Sequence, residues 1–100
     1  MDFDEFLRLC HQDKEPQHLD DTLIALWYES RGNWDQAHSI VQEMPGADAA
    51  RVHAYLHRKE GDEGNASYWY ARAGSRKPKL SFRQEWQQIT RELLEKYTIV

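Results

Sequence analysis

Cysteine, proline and long apolar runs are all scarce in this chain. Its 100 residues hold one cysteine, Cys10, and three prolines. A single thiol makes an internal disulfide impossible, so the fold must rest on its core. No apolar run approaches the roughly 20 residues needed to cross a bilayer, so no membrane association is expected. No segment alternates polar and apolar residues with the period of a half-buried strand, which argues against a sheet. The opening MDFDEFLRLC interrupts its apolar positions with charge and does not read as an export signal, so a cytoplasmic location is expected. A glycine-rich phosphate loop, a Ser-His-Asp arrangement and a convincing carboxylate pair are also missing. Catalysis is therefore not expected.

What the chain does have is ordinary for a folded protein. Its 40% hydrophobic and 30% charged residues place it outside the disordered regime. Four Trp, five Tyr and three Phe supply large buried areas for a core this small. The net charge of −4 conceals an asymmetry: residues 1–50 carry −8 and residues 51–100 carry +4. An acidic balance repels nucleic acid, so nonspecific DNA binding is not expected. The basic run Arg72, Arg76, Lys77, Lys79, Arg83 reads either as a local anion or RNA patch, or as a solvated turn that complements the acidic half. That complementarity can act within the chain or between copies in a homodimer.

Apolar spacing predicts six helices. Phe3, Phe6, Leu7 and Cys10 form one face of a first helix, with Asp2 as its cap. A second runs from about Asp20 to Arg31, with Leu19, Leu23, Leu26 and Trp27 in a stripe, and stops at Gly32-Asn33. A third covers Trp34 to Met44, with Trp34, Ala37, Val41 and Met44 inward, and Pro45-Gly46 breaks the chain. The fourth spans Ala47 to Glu60 and ends at Gly61-Asp62. The fifth runs from Glu63 or Asn65 to Ala73, with Ala66, Trp69, Tyr70 and Ala73 along one side and Gly74 just past its end. The sixth opens with the capping-box pattern Ser81-x-x-Gln84 and carries Phe82, Trp86, Ile89, Leu93 and Tyr97 in the strongest amphipathic stripe of the chain.

Helices two and three superpose on helices four and five at a shift of 29 residues, so that Gly32 meets Gly61 and Ala37 meets Ala66. Gly accepts the left-handed backbone of a tight helix–helix turn, and the small residue five positions later lets the two helices approach closely. With GNWDQA at one turn and NASYWYARAG after the other, residues 20–78 resemble the tetratricopeptide-repeat superfamily, especially its short bacterial-type relatives. The period is shorter than the usual length of about 34, and two repeats are fewer than the three or so that stabilise a solenoid. The resemblance implies an all-α architecture of two antiparallel hairpins, at 19–46 and 47–78. They are capped by an N-terminal helix and linker (1–18) and a C-terminal amphipathic helix (79–100), in one domain over 1–100. It also implies a protein-interaction or scaffold module with a protein or peptide partner.

Helix four carries the chemistry. His53 and His57 stand at i and i+4 with Glu60 at i+7, a spacing that lets all three converge on a divalent metal, the one cofactor these residues suggest. His38 on the neighbouring hairpin is a further donor. With Trp69 and Tyr70, the set His38, His53, His57 and Glu60 also describes a polar ligand pocket, and this binding role is the alternative to the interaction module. The same imidazoles have a purely structural role open to them, bonded to neighbours where the hairpins pack. Core packing is the default for Trp27, Trp34, Trp69 and Trp86, and Cys10 reads as a small core residue. Tyr68 falls on the opposite face from Trp69 and Tyr70, which makes Tyr68, Arg72 and Arg76 the candidate contact surface.

Overall fold

A computed structural model of the protein describes residues 1–97, leaving the last three positions of the predicted C-terminal segment outside the described residues. Among them the fold is all-α, with six helices: α1 (Phe3–Cys10), α2 (Asp21–Ser30), α3 (Trp34–Val41), α4 (Ala47–Glu60), α5 (Glu63–Arg72) and α6 (Phe82–Tyr97). None is long and apolar enough to cross a membrane.

The local chemistry sets most helix ends. Asp2 accepts from the Glu5 amide at 2.8 Å and opens α1. The capping box of α6 closes in both directions: the Ser81 amide donates to Gln84 Oε1 at 3.0 Å and the Gln84 amide to Ser81 Oγ at 3.1 Å. At the two repeat turns, Gly32 (φ 80°) and Gly61 (φ 89°) take the left-handed backbone. The residue after each caps the next helix, Asn33 accepting from the Gln36 amide and Asp62 from the Asn65 amide. Five positions past each glycine, Ala37 and Ala66 are fully buried. The 29-residue periodicity is therefore a repeat of turn, cap and close contact.

Helix α3 is shorter than its apolar spacing predicts, ending at Val41 and not Met44. Pro45 disfavours the α conformation at Met44, and the chain leaves through a turn in which the Met44 amide donates to Val41 O at 3.1 Å. Ala73 is the C-cap of α5, one residue past its last helical position.

Helices α2 and α3 pack as one hairpin and α4 and α5 as a second, with α3 against α4 between them. Helix α6 does not cap an open end. It lies across both hairpins against α2 and α4, with α1 against α2 and α6. The main core forms there from Phe6, Leu23, Leu26, Trp27, Tyr55, Leu56, Trp86, Ile89 and Leu93; each such side chain contributes about 1.5–3 kcal/mol on burial. Because partners cover α4 on both sides, its residues from Val52 through His57 are buried without a break, and α4 is the central helix. Three tryptophan indoles tie neighbours together: Trp27 to Leu9 O at 2.6 Å, Trp34 to Leu56 O at 2.8 Å and Trp86 to Leu26 O at 3.4 Å. Phe82 and Tyr97, at the two ends of the α6 stripe, are exposed; the Arg58 guanidinium lies over the Phe82 ring and the Tyr97 hydroxyl donates to Asp48 at 2.7 Å.

Candidate functional site

The α3 face of α4 holds a cluster of imidazoles. His53 and His57, one turn apart on α4, stack at 4.8 Å between ring centroids, and His38 from α3 meets both rings edge-on at 4.8 and 5.2 Å. Each of the three offers one nitrogen within 4.8 Å of the others. Two indoles flank the cluster: Trp34 stacks on His38 at 4.8 Å, and Trp69 from α5 stacks on His53 at 4.0 Å. His53 and His57 are only 4% and 8% exposed, and His38 is half-buried.

Burial favours the neutral form of two of these rings, His38 and His53. His38 Nε2 and His53 Nε2 lie 3.0 Å apart, so one ring donates the proton the other accepts. Burial pulls the His53 pKa down to about 4, with the neighbouring His38 and His57 adding to the effect. Burial likewise lowers His38, with His57 contributing. Neutral imidazole is the form that ligates a metal. His53 Nδ1 is buried with no hydrogen-bond partner among the described residues, so the packing leaves one ring nitrogen unsatisfied.

Glu60 is placed differently from the sequence expectation. It does not converge with His53 and His57 but bonds His57 Nδ1 at 2.6 Å, leaving Nε2 as that ring's other nitrogen. A carboxylate on the far nitrogen fixes the tautomer and orientation of a ligating histidine. The donor set brought together is thus His38, His53 and His57, with Glu60 behind it. A second group, His57, Glu60 and Asp62, also falls within 4.8 Å, but Asp62 is engaged by the Asn65 amide and side chain, which hold its pKa below the ordinary value.

Tyr70 does not belong to the cluster either. Its hydroxyl donates to Glu85 Oε2 at 2.6 Å on the other side of α4. Glu85 Oε1 accepts from Arg58 Nη1 at 2.6 Å, and Arg58 Nη2 reaches Leu80 O, also at 2.6 Å. This network and the Lys59–Glu29 ion pair were not anticipated. For Glu85 the signal was present, since it sits beside the apolar stripe of its helix, one turn before Ile89. Tyr68 is exposed as expected, with the Arg72 guanidinium 5.7 Å from its ring centre and 5.5 Å from that of Trp69; Arg76 is exposed beyond α5.

Chemically, the cluster offers three imidazole nitrogen donors with one ring held by a carboxylate. His53 and His57 lie within the packing and His38 stands half-exposed at its edge. The chain matches no protein-family model, no curated protein and no solved structure.

Proposed function

We propose that this chain is a metal-binding helical domain that holds one divalent transition-metal ion of the zinc class with His38, His53 and His57. The observation that carries the reading is the convergence of three imidazole nitrogens within 4.8 Å, from two different hairpins. Zinc bound tetrahedrally to nitrogen at about 2.0–2.1 Å needs donors roughly 3.3 Å apart. The 3.0 Å separation of His38 and His53 is within a few tenths of that value. The ion takes the place of the proton these two rings share, and Glu60 orients His57 toward it. Because α3 and α4 supply the ligands, the ion cross-links the hairpins and stabilises the fold. Three protein donors leave the fourth zinc position to water or to a group from outside.

The test is a thermal-shift and calorimetric series with Zn²⁺, Co²⁺, Ni²⁺ and Mg²⁺, together with the Co²⁺ absorption spectrum. One equivalent of Zn²⁺ should bind, adding about 2.7 kcal/mol of stability at a hundredfold excess over Kd. Co²⁺ should give tetrahedral bands that His57→Ala removes, and Mg²⁺ should do nothing. Absence of stoichiometric binding by every transition metal sinks the reading.

A second reading, the tetratricopeptide-like interaction module, is favoured by one observation: Tyr68 is 53% exposed, with Arg72 over its ring. The α2 and α4 faces are covered by α6, so a partner, whether a peptide or a second copy, would meet the α5 surface formed by Tyr68, Arg72 and Arg76. Sedimentation of the wild type against Tyr68→Ser/Arg72→Ser tests self-association; an identical, concentration-independent monomer in both removes the homodimer.

A further inference from the structure

On the side of α4 away from the histidines, a cavity of about 570 Å³ opens between α1, α2, α4 and the start of α6. That volume falls within the range of roughly 300–1,000 Å³ typical of small-molecule sites. Exposed Phe82 forms its main aromatic wall, with the largely buried Trp86 and Tyr55 rings beneath, and its charged lining residues are Glu29, Lys59 and Arg83. Their charges decide what can enter. Glu29 is 5% exposed and already matched, by the Lys59 ammonium and by the Tyr55 hydroxyl, whose pKa is raised by burial and by Glu29 itself. A cationic guest would find no unmatched carboxylate there. Lys59 has three donors and spends one on Glu29. Arg83 is exposed and has no hydrogen-bond or ion-pair partner among the described residues. The lining therefore carries a surplus of one positive charge in a protein whose net charge is −4.

We infer that this cavity binds a small monocarboxylate with an apolar body, its carboxylate paired with Arg83 and Lys59 and its body packed against Phe82, Trp86 and the Tyr55 ring. Guanidinium and ammonium donors make the strong charge-assisted bonds to carboxylate, and the aromatic walls select an apolar body over a hydrophilic anion. The site shares no residue with the histidine cluster, so it stands or falls independently of metal binding.

The experiment is an amide-resolved NMR titration of the full chain with octanoate and 3-phenylpropanoate as probes. Octanol and octylamine serve as neutral and cationic counterparts, and acetate as the anion without a body. The carboxylates should shift the amides of Ser30 and of Phe82 to Gln87, with octanoate binding at least about tenfold more tightly than octanol, octylamine or acetate. Arg83→Gln, at an exposed position the fold does not use, should cost octanoate about tenfold and leave octanol unchanged. Gln87→Trp, which fills the cavity mouth, should abolish binding. Equal affinity for octanoate and octanol, shifts that map elsewhere, or no saturable binding by either carboxylate would each overturn the assignment.

Discussion

Acid should weaken this fold chiefly through His53, with His38 adding to the effect. His53 has an ordinary pKa of 6.5, and burial beside His38 and His57 brings it to about 4 in the fold. A folded pKa below the unfolded one means that the unfolded chain binds more protons across that window. Stability is therefore unaffected above the window and falls as pH drops from 6.5 toward 4. At 1.36 kcal/mol per unit, the loss is about 2 kcal/mol by pH 5 and about 3 kcal/mol by pH 4, out of a total on the order of 5–15 kcal/mol. His38, lowered for the same reasons, adds in the same direction; Asp35 and Glu60 pull it back up. The carboxylates act in a different window. Asp48 is partly buried, which opposes ionisation, but bonds from Lys96 and Tyr97 hold its pKa below 3.8, so its contribution is lost only at lower pH.

The assay is urea unfolding of the metal-free protein at pH 7, 6, 5 and 4, compared with His53→Phe. Phenylalanine keeps an aromatic ring at the position where His53 stacks on Trp69 at 4.0 Å, but it cannot titrate. At pH 7 the variant should be less stable by about 1–3 kcal/mol, because His38 Nε2 loses its partner. Its pH dependence should be shallower, so that the two stability curves converge between pH 6 and 4. Parallel curves over that range would show that His53 does not titrate as a buried neutral imidazole, and the account of the cluster would fail.

Three further outcomes follow from the other features of the fold. Arg58→Met leaves the 1%-exposed Glu85 carboxylate with only the Tyr70 hydroxyl and should cost about 3–5 kcal/mol in chemical denaturation; adding Glu85→Gln should recover part of the loss. Gly61→Ala should cost about 1–2 kcal/mol through its φ of 89° alone, since an added Cβ meets nothing within 4 Å. Gly64→Ala, inside α5 with its nearest neighbour at 3.9 Å, should instead stabilise by up to about 1 kcal/mol.

Much of the architecture was legible because its causes are local. Glycine at the two turns, a capping residue after each and the buried alanine five places on are short-range requirements that spacing alone displays. The position of α6 was not legible. Its stripe shows that it must bury a face, but whether that face closes an end or crosses both hairpins depends on what α2 and α4 leave uncovered. The candidate site divides along the same line. His53 and His57 share one helix, and their i, i+4 spacing brings their rings together wherever α4 packs. Tyr70 follows Trp69 by one residue, about 100° around α5, and that step carries it off the histidine face to Glu85.

Glu60 and Glu85 show why carboxylates were the hardest residues to read. Three positions past His57, Glu60 has the reach to be a metal ligand or to bond the ring itself, and spacing does not separate the two; in the fold its Oε1 lies 2.6 Å from His57 Nδ1. Glu85 lies among Phe82, Trp86 and Ile89, where an unpaired charge would be prohibitive, so its presence beside that stripe implied a buried cation. That cation is Arg58, the residue after His57 on α4. Adjacent positions on the central helix thus face two separate polar systems, the imidazoles toward α3 and α5 and the Arg58–Glu85–Tyr70 network toward α6. A helix covered on both sides cannot rotate to improve one set of contacts without breaking the other. The geometry of His53 and His57 is therefore held by the Arg58 network as well as by Glu60, and in a Zn²⁺ titration loss of Arg58 should weaken the proposed metal binding at a site it does not touch.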